Sequence, residues 1–389
     1  MPPLRLKARD PMTSPHRQNN FDLIRLLAAA QVVIAHAIGH TDLVNRIPVW
    51  GKQLFDAFMM LPGVPVFFVI SGFLITKSFE RNPSDLTGYA WRRALRIFPA
   101  MWVCLAVTLG VLGYFGFLSD GFLLTKNGLA WLAGQVSFGQ FYNPEQFRGF
   151  GIGVANGALW TITVELQFYL FIPIFCLLTA KPKWSAVITP VLFLISFASY
   201  CVMDHMVNGT GGFTGAPLPF KLLHVTLVPH LWMFLLGILI HRHFEKVKSW
   251  IEGKFLIWFA AYVVFMALLA LLVPERSAPW YLAYLPARTI LAFATLSAAY
   301  SMRHLSEKLL RGTDISYGIY IYHSVVINVI VQLGMMNSML SVASVYAISI
   351  VLALLSWFLI EKPALACKSL SPSLFANLVR RRQSRSDEG

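Results

Sequence analysis

Two histidines, a glutamate and several arginines stand in this chain where the surrounding residues are almost wholly apolar. In FDLIRLLAAAQVVIAHAIGH, Arg25 precedes His36 by eleven positions. A helix turns about 100° per residue, so the two return to one face, roughly 20° past three turns and about 16 Å apart along the axis. Ala28, Ala29 and Val32 lie between them on that face, which suggests a narrow slot running from a cation to an imidazole. A neutral imidazole can take a proton from a hydroxyl or carry an acyl group for a time. The plainer alternative is that Arg25 reaches for the membrane surface and His36 bonds a neighbouring helix.

Three further groups invite the same question. In NGALWTITVELQFYLFIPI, Glu165 shares a helix face with Tyr169. A carboxylate inside a membrane needs a partner or a proton, and His36 is the expected partner; a purely structural ion pair is the alternative. In DISYGIYIYHSVVI, Tyr317, Tyr320 and His323 recur every three residues. They either line a pocket or form a satisfied packing face. In YAWRRALRIFPAMW, Arg92, Arg93 and Arg96 are expected at a helix N-terminus, where arginine forks and backbone N–H groups favour phosphate. On these residues alone, ordinary cytosolic charge is the stronger account. Ser71 lacks the G-x-S-x-G setting of a serine nucleophile, and H-E-x-x-H is absent.

The elements that hold these residues are membrane helices. Hydrophobic residues make up 57% of the chain, charged residues only 13%, and mean hydropathy is +0.62. A soluble domain of this length cannot hide so much apolar surface. Stretches of about 20 apolar residues predict an all-α, polytopic bundle of about ten transmembrane helices. They lie near 22–40, 57–76, 97–118, 158–179, 184–203, 222–240, 255–273, 286–302, 315–334 and 341–361. With the N-terminus inside, 25 of the 32 Lys and Arg fall on the cytosolic side and 7 outside. That asymmetry predicts cytosolic termini. Residues 1–19 and 364–389 read as basic cytosolic tails flanking a transmembrane domain at 20–363. The net charge of +14 is explained by this flanking, so no nucleic-acid partner is expected. The four cysteines show no metal or disulfide spacing, and no metal is expected.

Taken in order, FDLIRLLAAAQVVIAHA, PVFFVISGFLIT, RRALRIFP, NGALWTITVELQFY and SYGIYIYH followed by IEKP resemble the acyltransferase 3 family of membrane acyltransferases, from about Asn20 to Pro363. The resemblance implies an O-acyltransferase that moves an acyl group, acetyl in the first place, from cytosolic acyl-CoA to a hydroxyl of an envelope polysaccharide or lipid-linked sugar. It implies residence in the inner membrane, with the lipid bilayer as solvent. Arg25, Arg93 and Arg96 would then hold the coenzyme A phosphates. His36 would act as base or carrier, Glu165 would orient it, and His323 and Tyr320 would bind the thioester or its oxyanion. The rival from another class is a ten-span transporter or flippase, in which the buried charges mark a transport path.

Overall fold

The computed structural model describes residues 19–118, 121–209, 215–275, 277–302 and 304–369. The expected tails at 1–19 and 364–389 lie mostly outside these. The described residues form helices and turns with no β-strand. The helices are α1 Phe21–His40, α2 Val49–Met59, α3 Gly63–Glu80, α4 Leu86–Tyr114, α5 Lys126–Val136, α6 Trp160–Leu178, α7 Pro182–Gly209 and α8 Leu218–His224. They continue as α9 Leu231–Arg242, α10 Phe244–Ile251, α11 Phe255–Leu272, α12 Ala278–Tyr300, α13 Leu305–Leu310, α14 Ser316–Gln332, α15 Met339–Ser356 and α16 Lys362–Ala366.

Eight helical stretches among the described residues are long and apolar enough to cross a membrane. The other two of the ten expected spans fall on α9 and α14, of 12 and 17 residues. At 1.5 Å per residue these reach only about 18 and 26 Å, short of a hydrocarbon core of about 30 Å. The physical reason is their position. Nine of the 12 residues of α9 and 13 of the 17 of α14 are buried, so both are jacketed by protein. A helix that meets little lipid can stop early, because its ends are satisfied by neighbours rather than exposed to hydrocarbon. By contrast, α11 buries only Tyr262 and Leu269 of its 18 residues and belongs to the lipid-facing rim.

Close helix approach makes the centre. Gly72 of α3 faces the carbonyl of Phe234, and Gly237 of α9 faces the carbonyl of Val69, each so tightly that a Cβ would collide with backbone. Phe234 stacks on Phe68 and Phe168 at centroid distances of 4.6 and 4.0 Å. On the other side, α14 packs between α1 and α15, and Gly318 lies against the backbone of Ala353. The face of α1 carrying Ala28, Ala29 and Val32 is buried, at 6%, 0% and 5% exposure, and the Ala28 carbonyl meets Gly63. Small residues there allow close packing; the slot expected along that face is filled.

Candidate active site

Three cavities follow one another between the helices. The innermost, about 840 Å³, is lined by Arg25, Lys77, Arg81, Arg92, Arg93, Arg96 and Lys368, against Asp22 and Asp314. The arginines of α4 are not at its N-terminus. That helix begins at Leu86, capped by the Asp85 carboxylate, which accepts from the Gly88 N–H at 2.8 Å. Arg92, Arg93 and Arg96 therefore lie one to three turns inside, and they act through side chains alone. Arg92 pairs with Asp85 at 3.0 Å, Arg25 with Asp22 at 3.3 Å and Arg96 with Asp314 at 2.6 Å. Arg93 differs: it forms no hydrogen bond among the described residues, its Nε is buried without a partner, and its guanidinium stands 5.6 Å from the Tyr169 ring centre.

Sequence reasoning overlooked Asp314. The Ser316 N–H and hydroxyl both donate to its Oδ1, at 3.3 and 2.6 Å, so it fixes the start of α14 to α4. Burial alone would raise this carboxyl, but Arg96 first, then Arg25, outweigh it and hold it at about 2. Its signal was the D-x-S pattern opening a helix, an acceptor placed to cap it.

The middle cavity, about 80 Å³, shares Arg25, Arg93 and Arg96 with the inner one and contains Glu165. The expected contact between Glu165 and His36 is not formed. Instead Glu165 Oε1 accepts from the Tyr169 hydroxyl at 2.6 Å and the Ser71 hydroxyl at 3.3 Å. Tyr169 is one turn along the same helix, and Ser71 comes from α3, which packs on α6. The carboxylate is thus turned toward the basic end of the path. Tyr317 and Tyr320 also line this cavity. The Tyr317 hydroxyl donates to the Ile97 carbonyl at 3.0 Å, and the Tyr320 and Thr161 hydroxyls meet at 2.7 Å. Phe67 meets Tyr320 edge-on with centroids 5.7 Å apart, so these side chains divide the middle cavity from the outer one.

At that divide His36 and His323 are hydrogen-bonded, Nδ1 to Nε2, at 2.9 Å. His323 Nδ1 lies 2.6 Å from the Tyr320 carbonyl oxygen. A carbonyl can only accept, so His323 Nδ1 must carry the proton, and in the neutral ring its Nε2 is then a lone pair. His36 Nδ1–H then donates to that lone pair, and the Nε2 of a neutral His36 is left bare. Two bonds therefore fix two tautomers in series. His323 is fully buried with both ring nitrogens engaged, one by His36 and one by the Tyr320 carbonyl.

His36 lines the outer cavity, about 400 Å³, with Trp131, Gln135, Gln140, Phe141, Tyr142, Asn143, Asn156, Trp160 and two more histidines, His40 and His224. No Asp, Glu, Lys or Arg lines it among the described residues. Its floor is hung from α14 by a polar stripe at spacing four. Ser324 accepts from the Gly157 N–H at 2.9 Å, Asn328 accepts from the Ile152 N–H at 2.9 Å and donates to the Val154 carbonyl at 2.8 Å, and Gln332 accepts from the Gly151 N–H at 2.8 Å. That stripe is visible in SYGIYIYHSVVINVIVQ and escaped the sequence reading, which followed the spacing-three tyrosines.

Comparison with known proteins gives the family. A family model described as an acyltransferase domain matches residues 18–362. The chain is 35% identical to Nodulation protein 10 of Rhizobium leguminosarum bv. viciae, over 92% of this chain and 95% of that protein. It is 27% identical to the O-acetyl transferase of Shigella phage Sf6, over 92% and 99%. It is also 30% identical to the Peptidoglycan O-acetyltransferase OatA of Listeria monocytogenes, over 77% of this chain but half of that longer protein. No solved structure is a significant match.

Proposed function

The chain belongs to the acyltransferase 3 family of integral membrane O-acyltransferases, and from that premise we propose that it takes an acyl group, acetyl in the first place, from cytosolic acyl-CoA and delivers it to a hydroxyl of an envelope polysaccharide or lipid-linked sugar. The observation that carries this reading is the His36–His323–Tyr320 relay standing between a large basic cavity and an uncharged outer one.

The inner cavity suits the donor's nucleotide end. Coenzyme A carries several phosphate charges, and Arg93 holds a guanidinium with no protein acceptor. Arginine forks bind phosphate oxygens in pairs. The arm of the donor then extends through the middle cavity toward Tyr320. The outer cavity suits a neutral acceptor, since amides and aromatic rings can bond and stack on sugar hydroxyls and ring faces. The charge asymmetry of the loops supports cytosolic termini, and hence a donor site facing the cytosol, in the inner membrane.

In the reaction, bare His36 Nε2 takes the proton of the acceptor hydroxyl as its oxygen attacks the thioester carbon. His323 holds the ring and accepts from its Nδ1–H, so the imidazolium that forms stays oriented. The negative charge moves to the former carbonyl oxygen, where the Tyr320 hydroxyl, beside Thr161, can turn to donate. Collapse of this intermediate breaks the carbon–sulfur bond. The thiolate takes back the proton from His36, leaving an ester outside and free thiol inside.

The test follows labelled acetyl from acetyl-CoA to envelope glycan in membranes with and without the protein at matched composition. Label in the glycan only when the protein is present is expected. Equal labelling in both preparations, or none in either, overturns the donor–acceptor assignment.

A further inference from the structure

Once Glu165 is seen not to touch His36, its position needs another explanation. It is the one carboxylate lining the middle cavity among the described residues. Its Oε1 already accepts two hydroxyl protons, while its Oε2 accepts no hydrogen bond from the described residues. The other hydroxyls near the inner end of this cavity are also turned away. Ser316 donates to Asp314 and Tyr317 to the Ile97 carbonyl. The wall between the arginines and Tyr320 therefore presents lone pairs, not protons, to whatever passes through it. Beyond the guanidinium groups of Arg25, Arg93 and Arg96 that also line this cavity, a chain bearing N–H donors would be held by those lone pairs.

Resting on the donor reading above, we propose that Glu165 Oε2 accepts a hydrogen bond from an amide N–H of the pantetheine arm. Glu165 is then a positioning residue for the donor: it holds the uncharged arm in the middle cavity while Arg93 and Arg96, at that cavity's basic end, hold the phosphates. Ser71 and Tyr169 hold the carboxylate in place by occupying Oε1. The acyl group is thereby set at a fixed reach from the arginines, against Tyr320 and next to His36.

The experiment uses the full chain in lipid nanodiscs and three donors: acetyl-CoA, and two analogues in which one or the other pantetheine amide N–H is replaced by an ester oxygen. A hydrogen bond to a charged acceptor is worth roughly 10- to 100-fold. The wild type should lose about that factor in kcat/KM with one of the two analogues. Glu165→Gln should lose a similar factor with acetyl-CoA, yet distinguish that analogue from acetyl-CoA by no more than about threefold. Tyr169→Phe, which keeps the carboxylate, should still discriminate. Unchanged discrimination in Glu165→Gln, or none in the wild type, overturns this assignment while leaving the donor reading standing. Failure of the wild type to bind acetyl-CoA at all overturns both.

Discussion

The inner and outer halves of this molecule are built from opposite chemistry around one imidazole pair. Inward of Tyr320 the path is lined with guanidinium groups, of which Arg25, Arg92 and Arg96 are each paired with a carboxylate and Arg93 is not. Outward it is lined with amides, rings and histidines and carries no formal charge among the described residues. A membrane protein needs no such contrast for stability, since buried charges are costly there and are kept where they act. The contrast fits two ligands of different character, an anionic one that is read by charge and a neutral one read by hydrogen bonds and stacking. His36 lies where the two meet.

The strongest way to break that comparison is to remove the meeting point. Replacing His36 with Gln keeps approximate size and hydrogen-bonding capacity but removes the basic nitrogen, and transfer should fall by about 100-fold or more. Replacing His323 with Gln leaves His36 present but without its fixed tautomer, and should cost roughly as much as a lost orienting partner does, about tenfold to 100-fold. The double variant should be little worse than His36→Gln alone, because the two act as one unit. Near-normal acetyl transfer by His36→Gln, at equal membrane abundance, would remove the relay from the mechanism.

The two halves should then fail separately. Arg93→Gln should raise KM for acetyl-CoA by about 10- to 30-fold and leave acceptor KM unchanged, with Arg93→Lys recovering only part of the loss because an ammonium cannot form the paired fork. Trp160→Ala, in the outer cavity where the ring lies tilted against His224 with centroids 4.2 Å apart, should raise acceptor KM by about two- to tenfold and leave the donor untouched. Crossed effects, in which the arginine alters the acceptor or the tryptophan alters the donor, would mean that the cavities are not distinct sites.

How much of this could be read from the chain depends on what kind of contact is concerned. The membrane bundle follows from apolar runs of 20 residues, which reflect the solvent and need no tertiary knowledge. The sharing of one path by Arg25, Arg93 and Arg96 followed from their sitting at one membrane surface. The partner of each polar group did not follow. Depth along a helix is legible from sequence to within a turn or so, but the azimuth of one helix against another is not. Glu165 and His36 were therefore matched on depth alone, whereas α6 turns Glu165 toward Ser71 and leaves α14 to supply the partner of His36. The burial of the short central helices α9 and α14 was not legible for a related reason: a hydropathy window cannot tell a lipid-facing helix from one wrapped in protein.

The smallest expected effect is on stability rather than on transfer, and it bears on the inner half alone. Asp314 ties α14 to Arg96, and its carboxyl is held at about 2. A folded-state value below the unfolded one near 3.9 means the tie contributes stability at every pH above about 4. That contribution is lost only as pH falls from there toward 2. Asp314→Asn should thus lower the thermal inactivation temperature by a margin that is constant between pH 5 and 9 and shrinks only in more acidic buffer. Below that point the wild type has neutralised the same oxygen, and the two proteins should converge. Measured on protein in detergent, a margin that instead closed between pH 6 and 8 would mean that a histidine controls the inner end. The separation between a permanently charged inner half and a proton-transferring divide would then be wrong.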